Sequence, residues 1–376
     1  MKFRNASTLR NQFDGDLATQ VFPTCPVAYC GGRNMNPRIT LPALTLIAFL
    51  ILGVGRANAT FPGKNGRIAF VQWPDIYTMN PDGSDVRQLT NLGPDSGAFW
   101  QSWSPDGKEI VFIEFRPPDF LGQLWLMNAD GSNQHLLLAE PDFRNERPSF
   151  TPDGGSVIFT RCRLDLPDTC ALYQMDVNGG GLTAITNFEL GIADLDGKYS
   201  ASGNRAFIGV AREGIHCAIY FGADSPSGLS PITPAALWAQ MPDWSPDGKK
   251  LAFSTHCANP QNEEIWVVDA EGKTLRRLTK NGNDYFAGPH DFFPSWSPQG
   301  DAIVFERDAP DFSSFSIVIM KIDGSSNREL LRLRPSLRTK RSFDNRIHGS
   351  RSGVGKRRLK EIEEGGFLPQ WGVAPN

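Results

Sequence analysis

Trp244-Ser245-Pro246-Asp247-Gly248-Lys249-Lys250-Leu251-Ala252-Phe253 decides the fold. Pro presets φ at the second position of a turn, Asp bonds its own backbone, and Gly accepts the positive φ that closes a tight hairpin. The Leu-Ala-Phe run that follows reads as a buried strand, and the aromatic before the turn ends a short strand. The same text returns along the chain. Ser104-Pro105-Asp106-Gly107 precedes Ile110-Val111-Phe112, and Thr151-Pro152-Asp153-Gly154 precedes Val157-Ile158-Phe159. Ser297-Pro298-Gln299-Gly300 precedes Ile303-Val304-Phe305. Two degenerate copies, Lys64-Asn65-Gly66 and Ser202-Gly203-Asn204, fill the gaps, at spacings between 41 and 52 residues.

Each unit continues with a third strand, such as Asp75–Met79, Gln123–Met127, Ala171–Met175, Glu264–Val268 or Ser316–Met320. A second turn (Asp82-Gly83, Asp130-Gly131, Asn178-Gly179, Asp323-Gly324) leads to a fourth strand ending in Leu89-Thr90, Ile185-Thr186, Ile232-Thr233 or Leu278-Thr279. A single four-stranded unit cannot bury both faces, whereas units stacked around an axis can. The expected fold is therefore all-β: a six-bladed β-propeller of four-stranded antiparallel blades. The first unit lacks its inner strand, and Phe367-Leu368-Pro369-Gln370-Trp371-Gly372 matches the inner-strand text Phe293-Pro294-Ser295-Trp296-Ser297. The C-terminal strand is expected to complete the first blade.

The text W-S-P-D-G-K-x-[IL]-x-F, then [IL]-W-x-[MV]-[DN]-x-[DE]-G, then L-T, is similar to the repeat of TolB-like propellers. The chain resembles that family over residues 61–333 and 367–372. The resemblance implies an exported, usually periplasmic, location and a scaffold for protein contacts. It does not extend to the N-terminal α/β domain of TolB, because the repeats follow almost directly on an apolar leader, nor to residues 334–366.

That leader runs from Ile39 to Gly55, with Arg38 before it and the small-residue pattern Ala57-Asn58-Ala59 after it. These are the parts of a secretory signal peptide, and the run is short for a membrane span of about 20 residues. Residues 35–59 are read as the signal, with translation starting at Met35 and residues 1–34 outside the mature protein. Blades are expected over 60–333, a basic insertion over 334–366 and the closing strand over 367–376. The product is expected to be periplasmic or secreted, with no transmembrane domain after cleavage, and monomeric.

The chain has 376 residues and a net charge of −3, which hides an asymmetry. Residues 60–327 hold 20 basic against 34 acidic side chains, and residues 328–360 hold 12 against 2. The acidic body excludes a protein built around nucleic acid, since it repels phosphates. The basic insertion, with Lys356-Arg357-Arg358 and Lys360, reads as a solvated loop or as a contact for an anionic surface.

Inner strands converge on a channel, so Trp100, Gln101, Glu146, Arg147, Asp194, Asp243, His290, Asp291 and Gln370 are the expected lining of its mouth. Such a set could hold a partner's tail, a small ligand or a metal, or simply be solvated. His290-Asp291 could do acid–base chemistry, or merely sit on the loop entering the last blade. Cys162, Cys170, Cys217 and Cys257 are candidate disulfide residues in an oxidising compartment, and four cysteines allow three pairings. Cys162 and Cys170 flank one loop, which makes their bridge easy and would leave Cys217 with Cys257. His216-Cys217 and His256-Cys257 could instead bind zinc. Asp194-Leu195-Asp196-Gly197 resembles the start of a calcium loop, but Arg205 stands where such a loop needs Glu. No nucleophile elbow, zincin or phosphate-loop motif is present. The expected role is a non-catalytic scaffold binding a protein or peptide, with no cofactor. The alternative is a carbohydrate-active lyase or hydrolase with its site at the channel mouth.

Overall fold

The Ser-Pro-Asp-Gly turns form by a repeated set of hydrogen bonds. At the Ser245 turn, Gly248 N donates to Ser245 O at 2.8 Å and Ser245 N to Lys250 O at 2.8 Å. Ser245 Oγ donates to Asp247 Oδ1 at 2.6 Å, and that oxygen also accepts from Lys249 N at 3.1 Å. Gly248 takes φ 66°, which only Gly adopts without strain. Where Gln299 replaces the turn Asp, Ser297 Oγ donates to Asp301 Oδ1 instead, at 2.8 Å.

A computed structural model describes residues 61–93, 95–118, 121–166, 169–202, 205–213, 218–223, 229–255, 263–282, 287–333 and 368–375. These all belong to one compact unit, Val54–Asn376. The expected signal segment, the basic insertion, Cys217 and Cys257 lie outside the described residues.

The described residues form an all-β propeller with 24 strands. The first sheet holds β1 (Asn65–Gln72), β2 (Asp75–Met79), β3 (Arg87–Gln88) and the C-terminal β24 (Gln370–Val373), in the order β24-β1-β2-β3. The closing strand thus completes the first blade. Ile68 pairs with Trp371 and Ala69 with Gln370, and the Trp371 indole donates to Gly66 O at 3.2 Å. The second sheet runs β4 (Gly97–Trp103), β5 (Glu109–Phe115), β6 (Gln123–Asn128) and β7 (His135–Leu138).

Two further four-stranded sheets follow the same plan. One is β16 (Ala239–Trp244), β17 (Lys250–Thr255), β18 (Ile265–Asp269) and β19 (Leu275–Arg277). The other is β20 (His290–Trp296), β21 (Ala302–Asp308), β22 (Phe315–Lys321) and β23 (Arg328–Leu333).

The third and fourth repeats depart from the expected six separate sheets. They join into one eight-stranded sheet, so the sheets among the described residues number five. Its first half is β8 (Phe143–Phe150), β9 (Ser156–Arg163), β10 (Cys170–Asp176) and β11 (Thr183–Ala184). Its second half is β12 (Ala193–Ser202), β13 (Arg205–Glu213), β14 (Ala218–Ala223) and β15 (Ser230–Pro231). The halves meet at one parallel pair, Cys170 with Ala193, beside a bond from Cys170 N to Ile192 O at 3.1 Å. The junction lies at the first residue of β10, where β11, which covers only Tyr173 and Gln174, does not reach.

The repeat's other signatures also have visible work. The Thr of Leu-Thr or Ile-Thr turns its hydroxyl onto the third strand. Thr90, Thr186, Thr233 and Thr279 accept from Ile76 N, Leu172 N, Ile219 N and Ile265 N at 2.9–3.0 Å. These amides are satisfied where the short outer strand has ended. The aromatic at the matching place of each inner strand is buried: Trp103, Phe150, Tyr199, Trp244, Trp296 and Trp371. Each contributes about 4–6 kcal/mol of transfer free energy to packing between neighbouring sheets, at ~25 cal/mol per Å².

Candidate functional site

The channel is built by a bulge repeated in the inner strands. Three residues before each of these aromatics stands a non-glycine residue in the left-handed region: Trp100 (φ 51°), Arg147 (53°), Asp196 (54°), Met241 (54°), Phe293 (50°) and Leu368 (44°). In β4, β8, β12, β16 and β20 the ladder register shifts at this place. Left-handed backbone at non-glycine residues costs about 1–3 kcal/mol each and persists only where surroundings enforce it. All six residues line one solvent-open cavity.

Contacts run from inner strand to inner strand around this cavity. Gln101 Nε2 donates to Leu368 O, tying β4 to the closing segment. The Arg147 guanidinium lies over the Trp100 ring at 5.5 Å and ion-pairs with Asp196, linking β4, β8 and β12. Lys198 Nζ meets Asp243 Oδ1 at 3.0 Å, and Asp243 Oδ2 accepts from Trp296 N at 2.8 Å, linking β12, β16 and β20. Trp371 N donates to Ser295 Oγ at 3.1 Å and returns the circuit to β24. Most charges on the wall are thus spent on neighbouring strands, while Trp100, Met241 and Phe293 face the cavity with apolar surface.

Of the expected mouth residues, Trp100, Gln101, Arg147 and Gln370 line this cavity. Asp243 lines a second cavity, together with Lys198, Trp371 and Phe61. Glu146 is buried against Arg144 and Arg147. Asp194 is buried, and its backbone carbonyl accepts from Thr160 Oγ1 at 3.4 Å. His290 and Asp291 are fully buried and line neither of these two cavities. The physical reason is that they stand at the start of β20, behind the bulge rather than at it. Asp196, Lys198, Met241, Phe293 and Leu368 were not among the expected lining. Counting three residues back from each such aromatic would have found four of them, and Lys198 immediately precedes Tyr199.

His290 belongs to a buried charged cluster. Its Nδ1 bonds Glu263, and Phe312 stacks on its ring at 5.0 Å. Asp291 takes both arms of Arg307 at 2.7 and 2.8 Å and accepts from Asn281 Nδ2 at 2.8 Å. Burial, and then the charge of Glu306, push the Asp308 carboxyl well above the usual carboxylate range. Among the described residues, no group of three His, Cys, Asp or Glu side chains is arranged to hold a metal ion. In the sequence motif Asp194–Gly197, Asp196 is committed to Arg147. Cys162 and Cys170 form a disulfide across β9 and β10.

No family model matches the chain. A solved structure of TolB from Acinetobacter baumannii superposes with a TM-score of 0.59 at 20% identity, covering 82% of this chain and 67% of that one. The fold is that of a TolB-like β-propeller. An uncharacterised protein of Agrobacterium fabrum is 24% identical over 62% of this chain. Dipeptidyl-peptidase 5 of Porphyromonas gingivalis is 25% identical over 78% of it. The chain spans 62% and 42% of the lengths of these two relatives. At such identities the likeness carries the fold and leaves activity to the site. No helix among the described residues is long and apolar enough to cross a membrane.

Proposed function

We propose that this chain is an exported, non-catalytic binding scaffold that receives a protein or peptide segment at the mouth of its channel. The observation carrying this reading is that the acid–base side chains on the cavity wall, Asp196 and Lys198, are ion-paired, and that the His290 cluster lies away from it. The cavity is lined by Trp100, Met241, Phe293 and ion-paired charges, whereas His290, Asp291 and Asp308 are buried away from it. A general acid or base must reach the proton it moves, and a group sealed under packed side chains does not. Aromatic faces beside paired charges suit a peptide segment, which brings both apolar and hydrogen-bonding groups.

In this reading the eight-stranded sheet works as two blades, so the ring counts six, in keeping with six bulges and a circuit of six inner strands. The chain acts as a monomer in the periplasm or outside the cell after cleavage behind Ala59, and needs no cofactor. The basic insertion docks on anionic surfaces, an attachment that high salt would release.

The test compares chain 60–376 with its Trp100→Ala/Phe293→Ala double variant in capture from an envelope extract. Surface variant Leu136→Ser serves as control. The expected result is a protein retained by wild type and control and lost by the double variant. Equal capture by all three, together with turnover of any carbohydrate in a polysaccharide panel, would reverse the reading toward an enzyme.

A further inference from the structure

Glu306 and Asp308 stand two residues apart on β21, so their side chains share one face of the sheet. Both are buried. Glu306 Oε2 accepts the backbone amide of Leu368 at 3.1 Å, the contact that seats the start of the closing segment. Asp308 lies on that same buried face, and its Oδ1 has no hydrogen-bond partner. Two carboxyl groups buried side by side on one face disfavour double ionisation, so the pair retains a proton.

The charges packed around the pair are engaged with other groups. On β20, His290 bonds Glu263, and Asp291 holds Arg307 of β21. Ahead of β18, Glu264 holds Arg277 of β19. From β22, the residue opposite Asp308 is the apolar Phe315. The negative charges of Glu306, Asp291 and Glu263 all act on Asp308.

We propose that Glu306 and Asp308 form a proton-held latch on the ring. With one proton shared between them, Glu306 holds the amide of Leu368 and the closing strand stays seated. Loss of that proton leaves two carboxylates in one buried site and frees the strand's leading end. The sign follows from the raised folded-state pKa of Asp308. The stabilisation is fully present below the ordinary Asp value and is lost as pH rises toward and through the raised one. The latch is independent of what the channel binds.

Hydrogen exchange of the Leu368 and Trp371 amides, corrected for intrinsic rates, reads the latch directly. In the wild type their protection falls by up to about tenfold per pH unit above about pH 4, and levels off beyond the raised value. The Val111 amide of β5 keeps its protection over the same range. Asp308→Asn carries no proton to lose, so its closing strand keeps flat protection. Wild-type protection independent of pH, or an Asp308→Asn slope equal to wild type, overturns the proposal. If Asp308→Asn does not fold, the infrared spectrum of the wild type decides. A protonated buried carboxyl persisting above the ordinary range supports the latch, and its absence overturns it.

Discussion

Truncating Trp371 tests whether the C-terminal strand is a full member of the cooperative ring. The side chain is buried in a cluster with Ile68, Phe70, Met79, Val304 and Phe315, residues of β1, β2, β21 and β22. Trp371→Ala removes the indole from a site walled by two neighbouring sheets and leaves Gly66 O without its donor. A buried Trp→Ala change costs about 3–5 kcal/mol, and the orphaned carbonyl adds about 1 kcal/mol. At roughly 2 °C per kcal/mol for a domain of this size, the melting midpoint drops by about 8–12 °C. The assay is thermal and urea unfolding of Trp371→Ala beside Trp244→Ala, whose indole donates to Lys198 O at 2.9 Å in an internal blade. Similar losses with single transitions mean that the last strand folds with the rest. A Trp371→Ala loss under about 1 kcal/mol, with Trp244→Ala costing the full amount, would falsify the closure argument.

Two further outcomes are expected. Thr279→Val keeps the shape but strips the acceptor from Ile265 N, so it costs about 1–3 kcal/mol in urea unfolding, whereas Thr279→Ser costs under about 1 kcal/mol; equal effects would show that the methyl, not the hydroxyl, matters. Reducing Cys162–Cys170, which closes a separation of 8 residues, lowers stability by about 2.5 kcal/mol on the loop-entropy account. An unchanged midpoint after confirmed reduction would place the stabilisation elsewhere.

Most of the fold was legible because the repeat writes its turn chemistry in full. Ser-Pro-Asp-Gly states a hairpin, the following apolar triplet a buried strand, and Leu-Thr the end of an outer strand. Even the closing strand could be read, since Pro369-Gln370-Trp371 repeats Pro294-Ser295-Trp296. The merging of two repeats into one sheet was not legible. It rests on one parallel pair, Cys170 with Ala193, and a single pairing leaves no mark in composition. The site was half legible for a related reason. Trp100 and Arg147 were found by their chemistry, but Met241, Phe293 and Leu368 look like ordinary core residues. Only a left-handed backbone, set by the bulge, turns them toward the channel. His290 and Asp291 are fully buried, and reactive side-chain types in a strand's first residues say nothing about the depth at which that strand begins.

The contrast between two positions of the same repeat separates support from recognition. Three residues after each bulge residue the side chain is always aromatic, because every blade presents its neighbour with the same slot and the same packing demand. Three residues earlier the six side chains are Trp, Arg, Asp, Met, Phe and Leu, with nothing in common but their backbone angle. A structural need repeats with the structure. A position whose geometry repeats while its chemistry does not is one where the fold supplies direction and leaves the side chain free. Six such directions meet in one cavity, so its surface is a composite that no single repeat encodes. Specificity of the channel must therefore rest on the combination, and exchanging two bulge residues between blades should alter binding more than it alters stability.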